Sequence, residues 1–210
     1  GADEYIQIDT GGDLTANYLA VVNHNFPSTA TLTLKGCNAD SNGSFDWSNP
    51  DQSISIPWRE YLICQCFAVK TCERWRLYIS VSGGLELEIG YMFLGQYLQM
   101  PYMKPDQEIE YETTSKQSVS DGGQVYGDIG YDFRNPTINF PYLTTAQKDQ
   151  IIAMFSEVKN SQPIMLMIWA NDFTTEPPLY CVIDQPSIKF KRTDDYNMPW
   201  STTIRFREIF

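Results

Sequence analysis

The stretch "RWRLYISV" alternates strictly: Trp75, Leu77 and Ile79 fall on one side, Arg74, Arg76 and Tyr78 on the other. A period of two belongs to a strand with one buried and one wet face, and a helix would scatter the same residues around its axis. The pattern recurs through the first half of the chain. "EYIQID" sets Ile6 and Ile8 against Tyr5, Gln7 and Asp9, and "ATLTLKG" turns Leu32 and Leu34 to one face; "SISIPW" and "LELEIGYMFLG" are further short strands. "NYLAVVN" is apolar almost throughout, as suits a strand covered on both sides. Turn residues punctuate the set. Gly11-Gly12 is expected to break the first strand from the second, Asn42-Gly43 to make a tight turn, and Gly83-Gly84 to reverse the chain. Regularly spaced short strands with no helix between them predict an antiparallel β-sandwich over 1–103.

Beyond Pro101 the pattern changes. Residues 104–127 are polar, contain Gly122-Gly123, and read as a linker, an extended arm or a long hairpin. "DIGYDFRNPTINFPYL" is strand-like. Then "LTTAQKDQIIAMFSEVKN" carries the one helical signature. Thr144 stands three residues before Gln147, the spacing of a capping box. Ile151, Met154, Phe155 and Val158 then share one face, and Asn160 and Pro163 end the helix. "PIMLMIWA" predicts a buried strand, and "LYCVIDQPSIKFKR" two strands or one bent near Pro186. "WSTTIRFREIF" alternates, with Thr202, Ile204, Phe206 and Glu208 opposed to Thr203, Arg205 and Arg207. Residues 104–210 are therefore expected to form an α+β domain, one helix packed on an antiparallel sheet. The fold class expected for the whole is mainly β.

Charge narrows the function classes. The formal net charge of -11 opposes binding of nucleic acid through neutralised phosphates. No apolar run reaches the ~18 residues a membrane-spanning helix needs, so no membrane insertion is expected. The chain opens on Gly1-Ala2 rather than Met and enters a strand at once, so an upstream segment is expected to be missing.

A catalytic reading has little to work with. His24 is the only histidine, set between Asn23 and Asn25. Scarcity makes it the first candidate for a base, a ligand or a pH switch. No nucleophile elbow, metal-binding H-E-x-x-H or phosphate loop accompanies it. The blander reading has Asn23, His24 and Asn25 as a structural turn at a strand exit, satisfying main-chain groups. Five scattered cysteines, Cys37, Cys64, Cys66, Cys72 and Cys181, fit buried, reduced thiols better than a disulfide framework or a zinc site. Asp40, Asn42 and Asp46 loosely echo a calcium loop but lack its closing glutamate, so a plain turn is expected. Glu86 with Glu88, and Glu108, Glu110 and Glu112 in the arm, read as solvated faces. No catalytic residue, metal or cofactor is expected. Trp47, Trp58 and Tyr61 are the candidates for stacking on a sugar ring.

Several of these stretches together resemble a known family. "LKGCNADSNGSFDW", with Gly36, Asn38, the Asp40–Gly43 turn and Trp47, is similar to the turn of discoidin-type, galactose-binding-like jelly rolls. "CERWRLYI" and "EIGYMFLG" resemble later strands of the same fold, and residues 3–25 resemble its early strand pair. The opening segment usual in such domains is missing here. "YLAVVNHNF", including His24 and Asn25, together with "RWRLYI", "IGYMFLGQYLQMP", the polar arm and the late helix, is similar to minor or distal tail proteins of siphophage-like tailed bacteriophages. That resemblance implies a non-enzymatic virion structural protein. It would be located in the tail, put together in the host cytoplasm, and assembled as a ring with itself and other tail proteins. The alternative from the first half is a carbohydrate-binding module that touches a host surface glycan.

Overall fold

The computed structural model describes residues 3–82, 86–101, 103–104, 107–168, 178–193, 197 and 199–209. The expected turn at Gly83-Gly84, the opening Gly1-Ala2 and the end of "PIMLMIWA" lie outside them. The fold is mainly β, with antiparallel sheets and one helix. The chain divides into two compact units, Gly1–Leu98 and Gln99–Phe210.

The first unit holds one five-stranded antiparallel sheet. Its strands are β1 (Asp3–His24), β2 (Thr31–Cys37), β3 (Gln52–Ile56), β4 (Leu62–Ser80) and β5 (Ile89–Gly95), in the order β3-β2-β4-β1-β5. Two sequence expectations change here. Gly11-Gly12 does not end a strand, and "RWRLYISV" is not a short strand by itself but the second half of a longer one that begins at Leu62. β1 and β4 run on as 22- and 19-residue partners. The glycines instead form an irregularity, where the register jumps from Asp9↔Arg74 to Leu14↔Cys72. Extra residues on one strand of a pair make a bulge that bends it. Gly11 takes φ +72 there, a conformation costly for a side-chain-bearing residue, and donates its N–H to Asp9 Oδ1 at 3.1 Å. The two halves of these strands share one core. Trp75, Leu77, Ile79, Leu32 and Leu34 from one half join Leu19, Val21 and Ile63 from the other. Ala20, Val22 and Cys64 are buried as well, so the apolar run in β1 is covered on both sides as its composition predicts.

The second unit contains β6 (Glu108–Thr113), β7 (Lys116–Val119), β8 (Val125–Asp128), β9 (Asp132–Leu143), α1 (Thr145–Val158), β10 (Ile164–Leu166), β11 (Leu179–Ile183), β12 (Phe190–Arg192) and β13 (Trp200–Glu208). The main sheet runs β10-β11-β13-β9-β6, with β12 also paired to β13. The helix begins where the sequence places it. Gln147 N donates to Thr144 Oγ1 at 3.2 Å, and Thr144 N donates to Gln147 Oε1 at 2.9 Å. This reciprocal cap stabilises the first turn by roughly 1 kcal/mol. Ile151, with Met154, Phe155 and Val158 beside it, closes the core over Ile138, Phe140, Ile204 and Phe206. β13 buries Thr202, Ile204 and Phe206 and exposes Thr203, Arg205 and Arg207, the alternation read from sequence.

Candidate functional site

His24 ends β1 buried, 8% exposed, and both ring nitrogens are engaged by main chain. Phe26 N donates to Nδ1 at 3.2 Å. Nδ1 is thus the acceptor, so Nε2 carries the proton and donates to the Arg59 carbonyl at 2.9 Å. The ring stacks on Phe26 with centroids 4.5 Å apart. Its neighbours behave alike. Asn23 adopts φ 55 and donates its N–H to the Tyr61 carbonyl at 2.9 Å. Asn25 Nδ2 donates to Glu86 O at 3.0 Å, and its Oδ1 accepts from Glu88 N at 2.8 Å, so one side chain does the work of a strand neighbour. No nitrogen of His24 is left to take a substrate proton.

Burial pushes the His24 pKa below its usual value, and the bond to the Arg59 carbonyl opposes part of that shift. The neutral form is therefore favoured in the folded chain. Its contribution is complete above the unfolded pKa of about 6.5, and it is lost as pH falls from there toward the lower folded pKa. With no second histidine, no other side chain ordinarily titrates in that window. Urea unfolding should therefore show stability falling between pH 7 and pH ~5.5 in the native chain. His24→Gln should be less stable at pH 7 and nearly flat across the window. An unchanged slope in the variant would assign the effect elsewhere.

The three stacking candidates do not share one surroundings. Trp58 packs against the core of the first unit and donates Nε1 to Phe26 O at 3.0 Å. Tyr61 is 68% exposed beside the Asn23 turn. Trp47 belongs to another cluster, on the outer face of β1, β2 and β4. The Arg76 guanidinium lies between two rings, 4.0 Å from Trp47 and 4.3 Å from Tyr5. Arg74 covers Phe45 at 4.1 Å and pairs with Asp9 at 2.9 Å. Lys35 sits 4.4 Å over Tyr78 and donates to the Trp47 carbonyl. The Arg76–Trp47 and Arg74–Phe45 contacts, each worth roughly 0.5–1 kcal/mol at an exposed site, together with the Lys35 bond, fasten the 38–51 loop to the sheet. Sequence reading separated Arg74, Arg76 and Tyr78 onto one face but did not join them to Tyr5, Phe45 and Trp47. The alternation and the aromatic loop were the available signals.

The remaining chemical candidates are occupied locally. Asp40 Oδ1 accepts from Asn42 N and Ser44 N, each at 2.8 Å, and Asp46 Oδ1 accepts from Ser48 and Asn49. The bonds to Ser48 and Asn49 hold the Asp46 carboxyl below its usual range. All five cysteines are free thiols, buried except for the half-buried Cys66. Burial raises each of their pKa values, to about 12 for Cys64 and about 11 for Cys72, which keeps them protonated and poorly nucleophilic at neutral pH. Among the described residues no three His, Cys, Asp or Glu side chains gather around a metal position. An open groove of about 520 Å³ between Asp9, Asp13, Phe45, Glu73 and Arg74 has no buried base or nucleophile in its lining.

The described part of the polar stretch 104–127 divides: β6 joins the main sheet, and β7 with β8 forms a separate two-stranded ribbon. β6 pairs with β9; beyond Thr114 N→Tyr131 O, at 3.0 Å, β7 pairs among the described residues only with β8. The ribbon's tip closes through Gly123 N→Ser120 O at 2.8 Å, with Gly123 at φ +78. Every residue of β7 and β8 is exposed, including Val119 at 68% and Val125 at 65%; Ile129 just beyond is 97% exposed. No helix among the described residues is long and apolar enough to cross a membrane. No family model, curated protein or solved structure matches the chain.

Proposed function

We propose that this chain is a non-enzymatic structural protein of a tailed-bacteriophage tail, joined in a ring with its own copies and with other tail proteins. The observation that carries the reading is the β7–β8 ribbon. A lone two-stranded hairpin is at best marginally stable in water, and this one holds Val119, Val125, Tyr126 and Ile129 in solvent. A segment of that kind gains stability when another subunit covers it. The commitment of His24 to main-chain groups supports the absence of catalysis. The same reading takes the first unit as a galactose-binding-like sandwich, made by one sheet bent at its bulges. Its support is the single core shared by both halves of β1 and β4. Electron microscopy and light scattering of the purified chain should give rings, and Val119→Asp/Val125→Asp should abolish them. A monomeric native chain would refute the assembly.

A second reading, a module for a host surface glycan, is favoured by Trp47 and Tyr5 on one accessible face, with Tyr5 51% exposed. A glycan array should then show a signal that Trp47→Ala removes.

A further inference from the structure

The second unit's sheet carries opposite charges on two of its open edges, β6 and β12; β10, which among the described residues bonds only to β11, is a third. Among the described residues β6 bonds only to β9, and β12 only to β13. Register fixes which side chains share a face. Ile109 lies opposite Pro136, which is buried on the same side as Ile138 and Phe140, so Glu108, Glu110 and Glu112 stand on the outer face. Phe190 lies opposite buried Thr202, so Lys189 and Lys191 stand on that outer face too. All five are exposed. Arg205 and Arg207 of β13 extend the positive side, and Thr137 and Asn139 of β9 separate it from the glutamates.

We propose that copies of this chain join head to tail, the β6 edge of one adding antiparallel to the β12 edge of the next. This rests on the ring assembly proposed above and adds, beside the β7–β8 ribbon, a second surface through which copies meet. Three physical points support it. Open edges present unpaired main-chain donors and acceptors, which a second strand satisfies. Four antiparallel strands, β12, β13, β9 and β6, separate the edges, so copies pointing the same way meet antiparallel. The glutamates then sit beside Lys189 and Lys191 on one face, where cross-strand pairs of opposite charge attract.

The joint is also staggered. Glu110 pairs with Asn135, which by the Thr137↔Arg205 register lies level with Arg207, whereas Lys191 pairs with Ser201. That offset is about six residues, or ~20 Å, across four strands spanning ~19 Å. Strands in such an array would tilt by roughly 45°, the upper end of what closed barrels use. A head-to-tail contact that closes on itself gives a ring rather than a filament.

The test is charge reversal followed by mixing. One variant carries Glu108→Lys, Glu110→Lys and Glu112→Lys; the other carries Lys189→Glu and Lys191→Glu. The native chain should be multimeric by light scattering, losing mass as salt rises. Each variant alone should be monomeric with an unchanged far-ultraviolet circular dichroism spectrum, because its β6 and β12 edges now carry one sign. An equimolar mixture should assemble again, since each β6 then meets an oppositely charged β12. A native multimer whose mass neither reversal alters, or a loss that mixing does not repair, overturns the edge assignment but leaves assembly through other surfaces standing. A native chain that stays monomeric at every salt concentration overturns both.

Discussion

Trp75→Ala is expected to lower the free energy of unfolding by about 3–5 kcal/mol, the range for deleting a large buried aromatic. Trp75 is wholly buried, among the largest side chains in the core of the first unit. Its ring meets Phe67 with centroids 6.1 Å apart, and its Nε1 donates to the Leu14 carbonyl at 3.2 Å. Leu14 is the first paired residue after the β1 irregularity, so the bond ties the two halves of that strand to one ring. The opposite wall is close. A Cβ on Gly36 would lie 3.1 Å from the Trp75 ring and 2.6 Å from Cys72 Sγ, so Gly36 leaves room for the indole. Alanine at 75 opens a cavity and leaves a main-chain carbonyl without its donor. Trp75→Phe separates the two effects: it keeps most of the buried area, loses the bond, and should cost about 1–3 kcal/mol. Denaturant titration gives the losses, and hydrogen exchange should place the faster amides in β1 and β4. A loss under ~1 kcal/mol for the alanine variant would mean the site collapses around the deletion.

How far the sequence reveals this fold depends on the range of the force involved. Trp75, Leu77 and Ile79 are assigned inward by alternation alone, because a strand's two faces are set residue by residue. The Thr144–Gln147 cap is equally local, both bonds closing within four residues. Gly11-Gly12 misleads for the opposite reason. Two glycines permit a reversal or a bulge, and pairing with β4 decides between them. The same holds at 69–73, where no turn residue interrupts the chain and continuous pairing with β1 makes one strand of two patterns. His24 was legible as a strand exit, since Asn23 and Asn25 flank it, but not its partner Arg59, 35 residues away. Of the sugar-stacking candidates, composition could not tell Trp58, partly sunk into the core, from Trp47, held on the outer face. That distinction comes from strand order, which no single segment carries.

Glu208→Ala is expected to cost about 3–5 kcal/mol. Its carboxylate accepts three bonds from one residue. Oε2 takes Arg134 N at 2.9 Å and Nε at 3.0 Å, while Oε1 takes Nη2 at 2.6 Å. The side chains are only 17% and 9% exposed, Arg134 and Glu208 respectively, so water does little of this work. Removing Glu208 strips the guanidinium of its bidentate partner in a poorly solvated site, and β9 and β13 lose a clamp across their join. The exposed Arg74–Asp9 pair makes the contrast, with side chains 36% and 43% exposed. Pairs of that kind are worth roughly 0–1 kcal/mol, so Asp9→Ala should cost several-fold less. A third variant tests whether the charges themselves stabilise. Arg134→Met with Glu208→Leu removes both ions, and burial of apolar groups can replace what the pair supplied. Recovery of most of the Glu208→Ala loss would place the cost in the buried arginine charge that has lost its carboxylate rather than in the value of the ion pair. Cys181, opposite Glu208 in the β11–β13 ladder and wholly buried, supplies an independent check. Its thiol is held protonated mainly by burial, and secondarily by the Glu208 charge. If Glu208→Ala loosens this corner, Cys181 should react faster with a thiol reagent, whereas the double apolar variant should keep it protected.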